Sequence, residues 1–185
     1  MSRKKRRLNV EDLSTREMTD ILRRLLGKKG EVADVVRAEM ERCFTEVAPD
    51  AVAADVHVEL ERLDVEELWN RSGRSRYGYT HPAEAAWEMI EEVLEPHIDR
   101  IRDYHETGKK KECDRYTLGV LKGIYDFDKK SRTEFKSQTS PDDPMEGFCI
   151  VLEKWKELRP EKDACGWMQQ MLEESCPACP VDVSG

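Results

Sequence analysis

A chain of 185 residues is most simply one domain and is long enough to bury a sizeable core. With 38% charged residues against 7% aromatic, it suits a helix-rich protein with a large wetted surface better than a compact β-rich enzyme. The formal net charge of −8 argues against general affinity for phosphate backbones or anionic membranes, and no stretch approaches the roughly eighteen apolar residues of a membrane span. The N-terminus lacks the apolar core of a signal peptide, so the expected compartment is the cytoplasm. Six cysteines spread along the chain read as reduced thiols rather than a secreted disulfide framework.

In chain order, Arg3, Lys4, Lys5, Arg6 and Arg7 form an uninterrupted basic arm, expected to be disordered over 1–10. Such an arm neutralises phosphates, serves as an import address, simply solubilises the chain, or docks on the chain's own acidic faces. Ser14 and Glu17 make a capping box before the stripe Met18, Ile21, Leu22, Leu25 and Leu26, which ends at Gly27 to Gly30. A second helix carries Val32, Val35, Val36, Met40, Cys43, Phe44 and Val47. Pro49 starts a third, with Ala51, Val52, Val56, His57, Leu60 and Leu63, and Asp64 with Glu67 predicts a further capping box before Leu68 and Trp69.

Between Asn70 and Tyr79 the pattern lapses. Arg71, Arg74 and Arg76 are followed there by Tyr77 and Tyr79, a composition that binds a phosphate or stacks a base, or only connects helices with its tyrosines half-buried and its arginines on acidic faces. A hinge fits at 70–79. No strand-like alternation appears in this half.

The stretch from Tyr77 to Phe127 predicts a helix pair around which the rest is organised. Thr80 is placed to cap, Pro82 suits a first turn, and Ala86, Met89, Ile90, Val93, His97, Ile101 and Tyr104 share one stripe. The opposite face carries Glu84, Glu88, Glu91, Glu92, Glu95, Asp99, Arg102 and Asp103. Pro96 predicts a kink or break, and Gly108 a stop. In the second helix Cys113, Tyr116, Val120, Leu121, Ile124 and Phe127 recur at helical spacing. Gly119 and Gly123, each costing about 1 kcal/mol against alanine, point either to a closely approaching backbone or to a merely tolerated pair. A polar loop from Asp128 to Asp142 follows, with one helical turn near Thr133 to Lys136. Asp143 and Glu146 then suggest a capping box for a helix bearing Phe148, Cys149, Val151, Leu152, Trp155 and Leu158. Pro160 opens the last helix, with Ala164, Trp167, Met168, Met171 and Leu172, and the tail over 176–185 reads as flexible.

The run Arg76-Tyr77-Gly78-Tyr79-Thr80-His81-Pro82-Ala83-Glu84-Ala85-Ala86-Trp87, its helix pair and the later Arg159-Pro160 resemble the helical region that accompanies SWIM zinc fingers in uncharacterised microbial proteins. The pattern from Leu13 to Phe44 is compatible with it, so the resemblance covers about two thirds of the chain. It implies an all-helical, repeat-like scaffold. The finger itself requires Cys-x-Cys followed by Cys-x-His, and neither spacing occurs, so no metal or DNA role carried by that finger transfers.

Residues suited to chemistry are sparse. Cys176-Pro177-Ala178-Cys179 has the spacing of a redox pair or half a zinc site, and Cys165 would be a third ligand. A redox pair of this kind wants its first thiolate at a helix start, and a structural zinc wants a second close pair; the sequence supplies neither. His97 and His105 lie eight apart, which is not the i, i+4 spacing that grips a metal, and a packed histidine is the expected reading. No cofactor is expected, with zinc at Cys165, Cys176 and Cys179 the remaining candidate.

The expectation is therefore an all-α protein of about seven helices, in an antiparallel bundle or short helical-repeat, solenoid-like arrangement, its helical domain spanning 11–175. The expected function is that of a non-enzymatic scaffold or adaptor binding a protein partner. The alternative is a nucleic-acid-associated protein that touches phosphates through the basic arm and the Arg/Tyr loop.

Overall fold

The computed structural model describes residues 13–28, 30–45, 47–75, 78–140, 142–177 and 183, apart from the side chains of 15, 41–45 and 75. The basic arm expected over 1–10 lies outside these residues. The chain divides into two compact units, Met1–Glu46 and Val47–Gly185. The division thus falls after residue 46, inside the span read as one helical domain and away from the candidate hinge at 70–79.

The described part of the first unit is two helices, α1 (Thr15–Leu26) and α2 (Glu31–Thr45), packed on each other. The Ser14–Glu17 capping box forms in both directions: Glu17 N–H donates to Ser14 Oγ and Ser14 N–H to the Glu17 carboxylate. Two helices cover only their facing sides, so the apolar stripes read from sequence are split. Ala33 is buried and Leu25 and Leu26 half-buried, whereas Ile21, Leu22, Val32 and Val35 are exposed.

The second unit contains α3 (Pro49–Glu61), α4 (Val65–Arg71), strands β1 (Gly73–Ser75) and β2 (Gly78–Thr80), α5 (Pro82–Glu106), α6 (Lys110–Lys130), α7 (Glu134–Gln138), α8 (Asp143–Leu158) and α9 (Lys162–Ser175). The described residues thus form nine helices against the seven expected. The additions are α4, where Asp64 caps by accepting from Glu66 N–H, and α7, capped by Thr133 and anchored by buried Phe135. The lapse at 70–79 is an antiparallel β-hairpin pairing Gly73 with Thr80, Arg74 with Tyr79 and Ser75 with Gly78. Three-residue strands are too short to show a period of two, which is why no alternation betrays them.

Helix α6 is the centre. It packs on α3, α5, α8 and α9, and its most extensive contact is with α3, some seventy residues earlier, rather than with its hairpin partner α5. A solenoid helix contacts only its sequence neighbours, so this unit is a bundle. The reason for the preference is the glycine pair. An added Cβ at Gly119 would lie 2.6 Å from Val52 Cβ and 2.7 Å from the Pro49 carbonyl oxygen; at Gly123 it would lie 2.7 Å from Val56 Cβ and 2.8 Å from the Ala53 carbonyl oxygen. The close-approach reading of the two glycines holds.

Helix α5 runs unbroken through Pro96, because packing of Leu94, His97, Ile101 and Tyr104 outweighs the one missing backbone donor. Its cap is His81, not Thr80: His81 Nδ1 accepts from Ala83 N–H, and Glu84 accepts from His81 N–H. It ends in a Schellman motif, Lys109 N–H to the Tyr104 carbonyl and Gly108 N–H to the His105 carbonyl, with Gly108 at φ +72°. The capping box expected at Asp143 is absent. Asp143 is already inside α8, and its carboxylate turns back to accept from Ser140 N–H. The last helix opens at Lys162, past Pro160. At the described positions of the tail, the chain is held rather than frayed: Tyr125 Oη donates to the Pro177 carbonyl, Val183 N–H donates to Gln169 Oε1, and Cys176 and Val183 are buried.

Candidate functional site

Among the described residues of the second unit, polar side chains gather at several places. The first joins α3, α5 and α6. His97 Nδ1 lies 2.8 Å from Tyr116 Oη and its Nε2 2.8 Å from a Glu59 carboxylate oxygen. The chain is satisfied when the phenol donates to Nδ1 and Nε2–H donates to the carboxylate. Carboxylate, imidazole and phenol in line suggest proton transfer, yet burial pushes the Tyr116 phenol up to about 12, away from a base or nucleophile at neutral pH. The trio is a latch holding three helices, with the Tyr104 ring 5.5 Å from that of Tyr116.

Burial likewise pushes the adjacent Cys113 thiol up to about 12, helped by the Asp114 carboxylate. Both groups are kept neutral by folding, while the unfolded chain releases their protons near pH 9 and 10. Their contribution to stability is therefore full below those values and lost as pH rises towards 12. The urea midpoint should fall across this window. Tyr116→Phe, less stable at neutral pH through loss of the His97 bond, should show a flatter decline above pH 10. Equal slopes in the two proteins would remove Tyr116 from the account.

The second constellation ties α6 to the end of α8. Asp114 accepts from Arg159 Nε and Nη2 and from Trp155 Nε1, each at 2.9 Å, while Arg159 Nη1 reaches Glu161, which also accepts from Lys110. The Arg159 guanidinium is held above its ordinary range, first by the hydrogen bonds it donates to Asp114. A cleft of about 530 Å³ opens beside it, lined among others by Lys111, Arg115 and Trp167. Asp114 and Arg159 saturate each other, so the pair serves the fold and presents no free charge to the cleft.

The third is a groove of about 460 Å³ between α5 and α8. It is lined from α5 by Trp87, Glu88, Glu91, Glu92, Leu94, Glu95 and Ile98, and from α8 by Gly147 and Ile150. Gly147 brings α8 close to α5: a Cβ there would sit 2.8 Å from Leu94 Cδ1, the tip of a flexible side chain. At about 100° per residue, Trp87, Leu94 and Ile98 fall within about 40° of one another and form the floor. Glu88, Glu92 and Glu95 fall some 80–140° further round, so the carboxylates stand along one flank. Trp87, Ile98 and Ile150 are half-buried, leaving apolar surface open. On the flank, Glu92 is engaged by Arg71, which also pairs with Glu67; the Arg71 hydrogen bond holds the Glu92 carboxyl below its usual range. Among the described residues, Glu88, Glu91 and Glu95 have no cationic partner.

Of the candidate site residues singled out in the sequence, those described are Arg71, Arg74, Tyr79, Cys165 and Cys176. Arg71 is spent on Glu67 and Glu92, the pairing with acidic faces foreseen for a connector. Arg74 and Tyr79 stand opposite each other across the hairpin, and Tyr79, expected to be half-buried, is 66% exposed. Arg3, Lys4, Lys5, Arg6, Arg7, Arg76, Tyr77 and Cys179 lie outside the described residues. Cys165 is half-buried, its Sγ 3.7 Å from the Arg159 carbonyl, and Cys176 is buried; no group of three metal-ligating side chains occurs among the described residues. Among those residues, too, no helix is long and apolar enough to cross a membrane. The groove was half visible in sequence: the acidic face of α5 could be read, but not its opening against α8.

Compared with known proteins, the chain matches no family model, no curated protein and no solved structure.

Proposed function

We propose that the protein is a non-enzymatic helical scaffold that binds a protein partner along the α5/α8 groove. The observation that carries this reading is the open apolar strip of Trp87, Ile98 and Ile150 over the buried Leu94, about 16 Å long from Trp87 to Ile98 at 1.5 Å per residue. Three turns of apolar floor match the anchors that a helix offers at i, i+3 or i+4, and i+7. The Glu59–His97–Tyr116 trio supports a non-catalytic reading, since its groups are spent on one another and the phenol is pushed away from reactivity.

Titrating the isotopically labelled full chain with a synthetic amphipathic helix of about fourteen residues, bearing one leucine stripe, should shift the amide signals of 87–98 and 147–150. The substitution Ile150→Asp should abolish those shifts while leaving the far-ultraviolet circular dichroism unchanged. Shifts centred elsewhere, or none with any amphipathic probe, would remove the groove as the working surface. The nucleic-acid reading keeps the exposed Arg74–Tyr79 pair of the hairpin, without Arg71. Binding of labelled DNA or RNA that falls steeply with salt and needs residues 2–7 would move the function there.

A further inference from the structure

Resting on the groove as a docking site, we infer that its occupant is a basic amphipathic helix, with an apolar stripe flanked on one side by lysine or arginine. Charge complementarity carries this. The floor is apolar, and the carboxylates beside it stand on the flank away from α8 rather than on both rims. Glu88, Glu91 and Glu95 find no cation among the described residues, so like charges one turn apart repel each other until a partner supplies positive charge. The molecule already shows the chemistry that this flank accepts: the Arg71 guanidinium from α4 reaches Glu92 Oε1 at 2.7 Å. An arriving helix would extend that pairing to the remaining three carboxylates while its leucine-like anchors cover Trp87 and Ile150. Rim charges of this kind steer encounter and set selectivity, with the apolar floor supplying most of the affinity. An acidic amphipathic helix would meet the same flank with like charge and be rejected.

The test uses the full chain and four synthetic peptides of equal length. Three share one leucine stripe, with a flank of lysine and arginine, of glutamine, or of glutamate; the fourth is a scramble of the basic peptide that keeps its charge and loses the stripe. Fluorescence anisotropy at about 0.15 M salt should rank the basic peptide roughly tenfold tighter than the neutral one, and the acidic peptide weakest. The triple variant Glu88→Gln/Glu91→Gln/Glu95→Gln, altered only at surface carboxylates, should reduce the basic peptide to the affinity of the neutral one and leave the neutral one unchanged.

Equal binding of basic and neutral peptides would overturn the charge selection while leaving the scaffold reading standing. A scramble that binds as well as the basic peptide, or a triple variant that makes no difference, would show general attraction to an acidic surface and also overturn it. Failure of all the striped peptides would remove the groove reading itself.

Discussion

Gly119→Ala and Gly123→Ala should each destabilise the protein by about 2–3 kcal/mol, although alanine is the better helix former by about 1 kcal/mol. The two effects have opposite signs, which makes the substitution informative. Helix propensity acts locally on α6 and favours alanine. Packing acts across the interface: the new methyl would be driven to 2.6–2.8 Å from atoms of α3, among them the carbonyl oxygens of Pro49 and Ala53 and the Cβ atoms of Val52 and Val56. Neither a backbone carbonyl nor the Cβ of a β-branched residue can swing aside as a side-chain tip can. Relief therefore requires α3 to move outward, giving up burial of Ala53, Val56 and Leu60 against α6. Moving α3 also stretches the Glu59–His97 bond, which ties it to α5, and the Lys122–Asp50 pair, which ties it to α6. Urea unfolding followed by circular dichroism measures the change. Gly119 and Gly123 lie one turn apart on one contact, so the double variant should cost less than the two singles combined, because the first methyl has already displaced the helix. Stabilisation by about 1 kcal/mol at either site would mean that propensity alone governs it and that α3 is not in close contact there.

That close contact shows where sequence reasoning reaches and where it stops. The amphipathic stripes of α5, α6, α8 and α9 were legible because burial on one side of a helix imposes the 3.6-residue period, and Met89, Ile90, Ile101, Val120, Leu121, Phe148 and Trp155 are buried as their spacing implies. The glycines were legible as an anomaly, since two costly residues one turn apart invite an explanation. Their partner was not, because nothing in residues 49–61 distinguishes the helix that approaches from any other amphipathic helix. Short elements fell below the same threshold. Helix α7 is held by one buried aromatic, Phe135, and one threonine cap, and the hairpin at 73–80 is made of backbone pairing that leaves no side-chain pattern.

The candidate site was less legible than the fold. Glutamates 88, 91, 92 and 95 looked like a solvated face, and by themselves they are one. Their significance depends on Trp87 and Ile98, which lie off the apolar stripe read for α5, and on Gly147 of α8, some fifty residues away. Conversely, the Arg/Tyr loop looked rich in chemistry from composition, and the structure spends Arg71 on neighbouring carboxylates. A charge becomes available for recognition only after intramolecular partners have been served, and those partners are set by tertiary contacts.

The same rule makes Asp114 the most consequential charge in the second unit. Asp114→Ala should cost about 3–5 kcal/mol, more than any surface acid, because it strands two buried donors at once. Arg159 would keep its charge in a site where it is only 8% exposed, and Trp155, with no exposed surface, would keep an indole N–H without an acceptor. Glu161 offers only partial compensation: it already accepts from Arg159 Nη1 and from Lys110, and it sits on the exposed side of the guanidinium. Asp114→Asn should cost less than alanine, since a carboxamide oxygen can still accept from Trp155 Nε1 or Arg159 Nε, though not from both donors of the fork with a full charge. The double variant Asp114→Leu/Arg159→Met should recover the part of the loss that comes from the stranded guanidinium, because a buried ion pair replaced as a unit by apolar groups forfeits attraction and desolvation together, while the Trp155 indole N–H stays without its acceptor. Chemical denaturation of the four proteins closes the comparison. If Asp114→Ala costs under about 1 kcal/mol, the pair is effectively solvated and worth no more than a surface salt bridge. If it costs the full amount and the double variant recovers none of it, the charges also fix how α8 meets α6, and the site specifies that packing as well as stabilising it.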